Sequence, residues 1–254
     1  MKKIILALIL CIFCTGCGKK PVMTDAFDII KERGEVIIGV RQDTRPFGFL
    51  ENGVPSGYEI DLANIIAERL DVEPKLVPLT AQERIGKLTG REVDMLIATM
   101  SVTPQRQRVL EFSLPYYVAG QALMVRQGTK GTTLPEFNGK RMIIVFGSTG
   151  ERNLRRNLHD AQIIGHKTYI EAYEAMKRGE GDAMMADDTV LMGLAIGDSS
   201  VKILQKRYSR EPYAVAFRKE HESDRLRGEV DHIIKSLQNS GELNRLQSKW
   251  NVKK

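Results

Sequence analysis

The sequence predicts an α/β fold, and three observations carry that prediction. Apolar runs of strand length alternate with segments of helical period along most of the chain. The strand candidates are continuously apolar, as strands of a largely parallel, doubly covered sheet are. The composition, 42% hydrophobic and 28% charged over 254 residues, is that of a globular protein. That length suits one large domain or two smaller lobes, each able to bury its own core.

Val36–Val40 is the first buried-strand candidate. A helix follows over Tyr58–Leu70, where Leu62, Ala63, Ile66, Ala67 and Leu70 recur on one face and Asp61, Asn64 and Glu68 on the other. Glu59 and Asp61 fall in its first turn, where acids suit the helix dipole. Further strands are expected over Asp94–Thr99, Arg141–Phe146, Ala183–Ala186 and Val201–Leu204. Helices are expected over Tyr169–Arg178 and Thr189–Ile196, and over Glu222–Trp250 with a break at Gly241.

The N-terminus reads differently. Lys2 and Lys3 precede the apolar run Ile4–Phe13, and small residues then lead to Cys17. This is the order of a secretory leader. The run is too short for a membrane-spanning helix, which needs about 20 residues. Cys14-Thr15-Gly16-Cys17 resembles the bacterial lipobox, with Cys14 where Leu is usual. The resemblance implies cleavage after residue 16 and acylation, with palmitate among the lipids, at Cys17. Residues 17–34 are then an anchored tether and lead-in. The chain's three cysteines all lie in this segment, so the processed domain has neither a thiol nor a disulfide.

The formal charge is +6, without a dense basic patch interleaved with aromatics, which argues against nucleic acid as a partner. Walker, GxGxxG, HExxH and GxSxG motifs are missing. His159, His166, His221 and His232 lack metal-ligand spacing. No metal or cofactor is expected, and weight moves from enzyme to binding module.

Three segments carry a family resemblance: Gly57-Tyr58-Glu59-Ile60-Asp61-Leu62, the run Asp94–Arg106 with Ala98-Thr99-Met100-Ser101 and Thr103-Pro104-Gln105-Arg106, and Phe112-Ser113-Leu114-Pro115-Tyr116-Tyr117. In order and spacing they resemble the bacterial extracellular solute-binding proteins for polar amino acids. The resemblance runs from about Val36 to the C-terminus. It implies a two-lobed periplasmic-binding-protein-like fold with two hinge strands and a ligand cleft. Lobe one would comprise residues 35–122 and 215–254, lobe two residues 127–210, and the hinge crossings 123–126 and 211–214. It also implies a monomer serving an ABC permease and its ATPase from the outer face of a membrane, rather than an enzyme. On the same fold, a cyclohexadienyl dehydratase would need a cleft acid, for which Glu151 and Asp188 are the candidates. A sensor domain for a separate receptor is the other rival.

A bound amino acid needs donors for its carboxylate, an acid for its ammonium and a matched wall for its side chain. Arg106 offers planar paired donors for the carboxylate. Thr103-Pro104 reads as the opening of a helix beside it. The resemblance adds Thr99 and Ser101 to the cleft lining. Asp187 follows an apolar strand, at the carboxyl end where ligands gather in open α/β sheets, and is the expected ammonium partner. Ser148 with Glu151 fits a capping box, and the resemblance makes Thr149 a ligand contact. Arg41 and Arg84 stand where relatives that bind basic amino acids carry acidic or apolar residues. Tyr169 matches a ligand-facing position of glutamate and aspartate binders. The expected ligand is therefore glutamate or aspartate, with Arg84 and Arg41 on its side-chain carboxylate and glutamine the nearest competitor. The bland alternative pairs the two arginines with Asp43, Glu83 or solvent.

Overall fold

The computed structural model describes residues 25–252. Cys17 and its leader lie outside the described residues. The described residues build two five-stranded sheets, each with helices packed on it, and so two lobes, together with one small three-stranded sheet. Lobe one begins with helix α1 (Ala26–Arg33) and strand β1 (Glu35–Val40). A small antiparallel sheet follows, of β2 (Asp43–Thr44), β3 (Gly48–Glu51) and β4 (Val54–Ser56), then α2 (Tyr58–Arg69), β5 (Glu73–Pro78), α3 (Glu83–Thr89), β6 (Met95–Ile97) and the long β7 (Leu110–Ala119). Lobe two contains β8 (Gln121–Arg126), β9 (Arg141–Val145), α4 (Thr149–Asn157), β10 (Gln162–His166), α5 (Tyr169–Lys177), β11 (Ala183–Asp187), α6 (Asp188–Leu194) and β12 (Val201–Ile203). The chain then returns to lobe one as β13 (Glu211–Arg218), α7 (Asp224–Asn239) and α8 (Glu242–Lys249).

The main sheets have the orders β5-β1-β6-β13-β7 and β10-β9-β11-β8-β12. Strands β5, β1 and β6 are mutually parallel, as are β10, β9 and β11. Against them, β13 and β8 run antiparallel to both their neighbours. The sheets are thus largely parallel, as expected, with one reversed strand each. That strand is the one that has just arrived from the other lobe.

The crossings fall at different residues from those expected. Residues 123–126 pair inside the second sheet, and residues 211–214 pair with β7 inside the first. The chain leaves lobe one at Gly120, between β7 and β8, and re-enters it at Glu211, which pairs with Ala119. An apolar run reads the same inside a sheet as across a hinge, so the sequence could not place the crossing. Residues 26–33 also belong to the fold rather than to a free lead-in. Ile30 of α1 is fully buried, and Asp28 pairs with Arg225 of α7.

Each lobe has its own apolar core. Lobe one packs Leu62, Ala63 and Ile66 of α2 with Val230, Ile234 and Leu237 of α7 around the β1–β13 sheet. Lobe two packs Leu123, Ile143, Met184 and Leu154. Each fully buried Leu or Ile contributes about 1.5–3 kcal/mol. Two separate cores explain how lobes can move as rigid bodies about two short crossings. No helix among the described residues is long and apolar enough to cross a membrane.

Candidate functional site

The lobes meet face to face, and the residues singled out in the sequence lie along that meeting line. Arg106 sits in one turn of 3-10 helix, Arg106–Arg108, whose opening Thr103 Oγ1 accepts the Arg106 N–H at 3.2 Å. The helix expected after Thr103-Pro104 is only this turn, because β7 begins at Leu110. The guanidinium is buried. It donates to the Ser101 carbonyl at 2.9 Å and, across the cleft, to the Gly147 carbonyl at 3.1 Å.

Arg84, on α3, is buried as well. Its Nη1 donates to the carbonyls of Ala98 (2.5 Å) and Thr99 (3.1 Å), and its Nε to Ala81 at 3.1 Å. Its Nη2 reaches the same Gly147 carbonyl at 3.5 Å. Two guanidinium groups from lobe one therefore converge on one oxygen of lobe two. Every hydrogen bond they donate ends on a main-chain carbonyl, and neither forms an ion pair among the described residues. Burial lowers the Arg84 pKa to about 9, with the Arg106 and Arg41 charges adding to the effect. Arg106 is shifted down too, by burial first and then by Arg152.

Arg41 lies at the end of β1 and is fully buried. It pairs with Asp43 at 2.5 Å, which is the alternative left open at the sequence level, and its Nε reaches Thr44 Oγ1 at 3.3 Å. Its Nη1 has no hydrogen-bond partner among the described residues. Asp43 also crosses the cleft, where its Oδ2 accepts the backbone N–H of Tyr169 at 2.9 Å. Tyr169 is the first residue of α5, so a lobe-one carboxylate caps a lobe-two helix where an anion suits the dipole. The Tyr169 ring lies 5.5 Å from the Arg41 guanidinium. The Glu83 carboxylate forms no ion pair with Arg84 among the described residues and accepts the Thr80 hydroxyl instead, at 2.7 Å.

Asp187 ends β11 and is buried. It stands at the N-cap of α6 without using its side chain there, and its Oδ2 accepts the Tyr213 hydroxyl from β13 of lobe one. Burial, then the Glu211 carboxylate, push its pKa up to about 7. Asp188 is occupied structurally: it accepts the Gly120 N–H (3.1 Å), the Thr189 N–H (2.9 Å) and Arg207 Nε (2.8 Å). Ser101, almost fully buried, forms a bridge with Tyr213 and so joins the Arg106 and Asp187 sides. Thr149 opens α4 just beyond Gly147 and is buried. Half of the expected capping box forms: Ser148 Oγ accepts the Glu151 N–H at 3.3 Å, but Glu151 accepts the Gly147 N–H at 3.3 Å, while the Ser148 N–H goes to the Val145 carbonyl at 3.2 Å. Glu151 also pairs with Arg155.

The structure thus gathers Arg41, Arg84, Thr99, Ser101, Arg106, Thr149, Tyr169 and Asp187 at one interface. Sequence reasoning missed Tyr213, the Gly147 carbonyl and Glu59, whose Oε1 accepts the Thr99 N–H at 2.6 Å. Main-chain partners leave no residue-type signal. Glu59 reads as an ordinary first-turn helix acid.

The family profile described as bacterial extracellular solute-binding proteins, family 3, matches residues 36–253. The ABC transporter glutamine-binding protein GlnH of Bacillus subtilis (strain 168) is 30% identical over 98% of this chain and 97% of its own length. The glutamate/aspartate import solute-binding protein of Salmonella typhimurium (strain LT2) is 28% identical over 91% of this chain and 80% of its own. Among solved structures, the P235GK mutant of ArgBP from T. maritima superposes with a TM-score of 0.85 at 31% identity, over 90% of this chain and all of that one.

Proposed function

The chain belongs to the bacterial extracellular solute-binding proteins of family 3, and on that footing we propose that it is the substrate-binding component of an ABC-type amino-acid importer, closing on glutamate or aspartate. The observation that carries the ligand class is the pair Arg84 and Arg106, two buried guanidinium groups that meet on the Gly147 carbonyl without a carboxylate partner among the described residues. An acidic amino acid brings two carboxylates and one ammonium. That charge pattern complements two such arginines and one buried acid, Asp187.

In this reading Arg106 takes the α-carboxylate, with Thr149 and Ser101 as hydroxyl donors beside it. Asp187, steadied by Tyr213, takes the ammonium. Arg84 takes the side-chain carboxylate, assisted by the unpartnered Nη1 of Arg41, with Thr99 and Tyr169 completing the wall. Ligand binding closed lobes better than open ones is what lets a permease distinguish loaded from empty protein. The leader and Cys17 add a lipid anchor on the outer face of a membrane to this reading.

Glutamine is the second reading, favoured by the similarity to the Bacillus subtilis glutamine-binding protein. It would leave one of the two guanidiniums facing an amide. A charged hydrogen bond contributes about 1.5–3 kcal/mol, which separates glutamate from glutamine by roughly tenfold or more. Calorimetric titration of glutamate, aspartate, glutamine and arginine into the purified chain tests the assignment. Glutamate or aspartate should bind tightest, and tighter binding of glutamine or arginine overturns it.

A further inference from the structure

Thr99 lies beside Arg84 with φ of 48°, in the left-handed region. The other non-glycine residues with positive φ among the described residues, Asn52, Asp71, Arg91 and Asn251, are exposed. Thr99 is buried, and as a β-branched residue it is poorly suited to this conformation. Something must hold it there.

The holding group comes from α2. Gly57 has a φ of 132°, and a Cβ on it would lie 2.2 Å from the Phe47 carbonyl oxygen, so only glycine lets the helix start dock this closely. The docking is sealed by Tyr58 N–H to Pro46 O at 2.9 Å and Glu59 N–H to Phe47 O at 2.8 Å. It sends the Glu59 side chain inward, fully buried, where Oε1 accepts the Thr99 N–H at 2.6 Å and the Tyr116 hydroxyl. Its Oε2 has no hydrogen-bond partner among the described residues. In the resulting turn the carbonyls of Ala98 and Thr99 both face Arg84 Nη1, and Thr99 Oγ1 folds back onto Ala98 O at 2.8 Å.

We propose that Glu59 is a positioning residue of the binding site: it pins Thr99 in the left-handed turn that aims two carbonyls at Arg84, and so fixes the guanidinium that receives the ligand's side-chain carboxylate. The final clause rests on the acidic-ligand reading given above. The pinning of Thr99 does not. A carboxyl group can do this because its Oε1 accepts both donors, the Thr99 N–H and the Tyr116 hydroxyl. Burial raises the Glu59 pKa to about 7, against the pull of the Tyr116 and Thr99 hydrogen bonds and the nearby Arg84 and Arg41 charges.

The test is a double-mutant cycle on the full chain with two readouts. In the ligand-free protein, hydrogen exchange at the Thr99 amide should be slow in the wild type and in Glu59→Gln, which keeps an acceptor oxygen, and faster in Glu59→Ala. With L-glutamate as the titrant, Glu59→Ala should weaken binding by about tenfold or more in the wild-type background, but by less than about twofold in Thr99→Gly, because glycine adopts the turn unaided. Equal losses in both backgrounds would show that Glu59 acts through the core at large. Unchanged Thr99 exchange in Glu59→Ala would also overturn the proposal. If glutamate fails to bind the wild type, the acidic-ligand reading falls, and the exchange measurement still decides whether Glu59 holds Thr99.

Discussion

Arg106 and Asp187 face each other across the lobes with opposite problems. Among the described residues, the Arg106 guanidinium is a buried cation satisfied only by carbonyl dipoles, and the Asp187 carboxylate is a buried acid with one hydroxyl donor. In the proposed function a ligand carrying both charges would answer both. Arg106→Lys keeps the charge but loses the planar fork, so ligand affinity should fall by about ten- to a hundredfold in calorimetry. Asp187 supplies the pH dependence. An ammonium binds the ionised acid, so affinity should drop as the pH falls through about 7, and Asp187→Asn should bind weakly without that slope. For stability of the ligand-free protein the sign is the reverse. The folded state keeps a proton that the unfolded chain has released. The contribution is therefore full below the ordinary carboxylate pKa of about 4 and is lost as the pH rises towards 7. Thermal unfolding of Asp187→Asn between those limits should show a flatter decline than wild type, with Glu59, also at about 7, supplying what slope remains.

Two short helices of lobe two carry the closure contacts. The N-terminus of α5 receives Asp43, and α6 presses Gly193 against the turn that contains Arg45. A Cβ on Gly193 would stand 1.8 Å from the Arg45 carbonyl oxygen, backbone that cannot be displaced cheaply. Gly193→Ala should therefore act as a wedge. Apparent affinity falls with the fraction of molecules able to close, here by about tenfold or more. Solution scattering should show the wild type contracting on ligand addition and the variant staying extended, while the fold of each lobe, read by far-ultraviolet circular dichroism, is unchanged.

On the scale of the whole molecule, two cores are joined by a crossing at Gly120 and another entering Glu211, and by the polar contacts of the cleft. A ligand clamped between the lobes binds only the folded chain. At a ligand concentration 100 times Kd it should add about 2.7 kcal/mol to stability, visible as a rise in melting temperature in calorimetry. The same excess of ligand should give the Gly193→Ala chain a much smaller rise, since its closed form is sterically blocked. A wedge variant that melts like wild type in the presence of ligand would mean that binding does not require closure.

Sequence alone determined the elements whose information is local. Leu62, Ile66 and Leu70 recur at helical spacing, and Ala183–Ala186 is an apolar run, so α2 and β11 were legible close to their ends. The charged and hydroxyl side chains proposed for the site could be nominated as well, because the family resemblance gives their positions, while their burial could not be read. Pairing was not legible. Whether Leu123 lies in a hinge or a sheet depends on Met185, 62 residues further on, as does the reversed direction of β8 against β11. The partners that give the site its form were equally hidden: the Gly147 carbonyl shared by Arg84 and Arg106, Asp43 capping α5, and Glu59 beneath Thr99. These contacts join residues far apart in the chain, and all three act through main-chain atoms. Residue type fixes which chemistry a position can offer. Only the tertiary packing, within each lobe and between the two, decides what that chemistry meets.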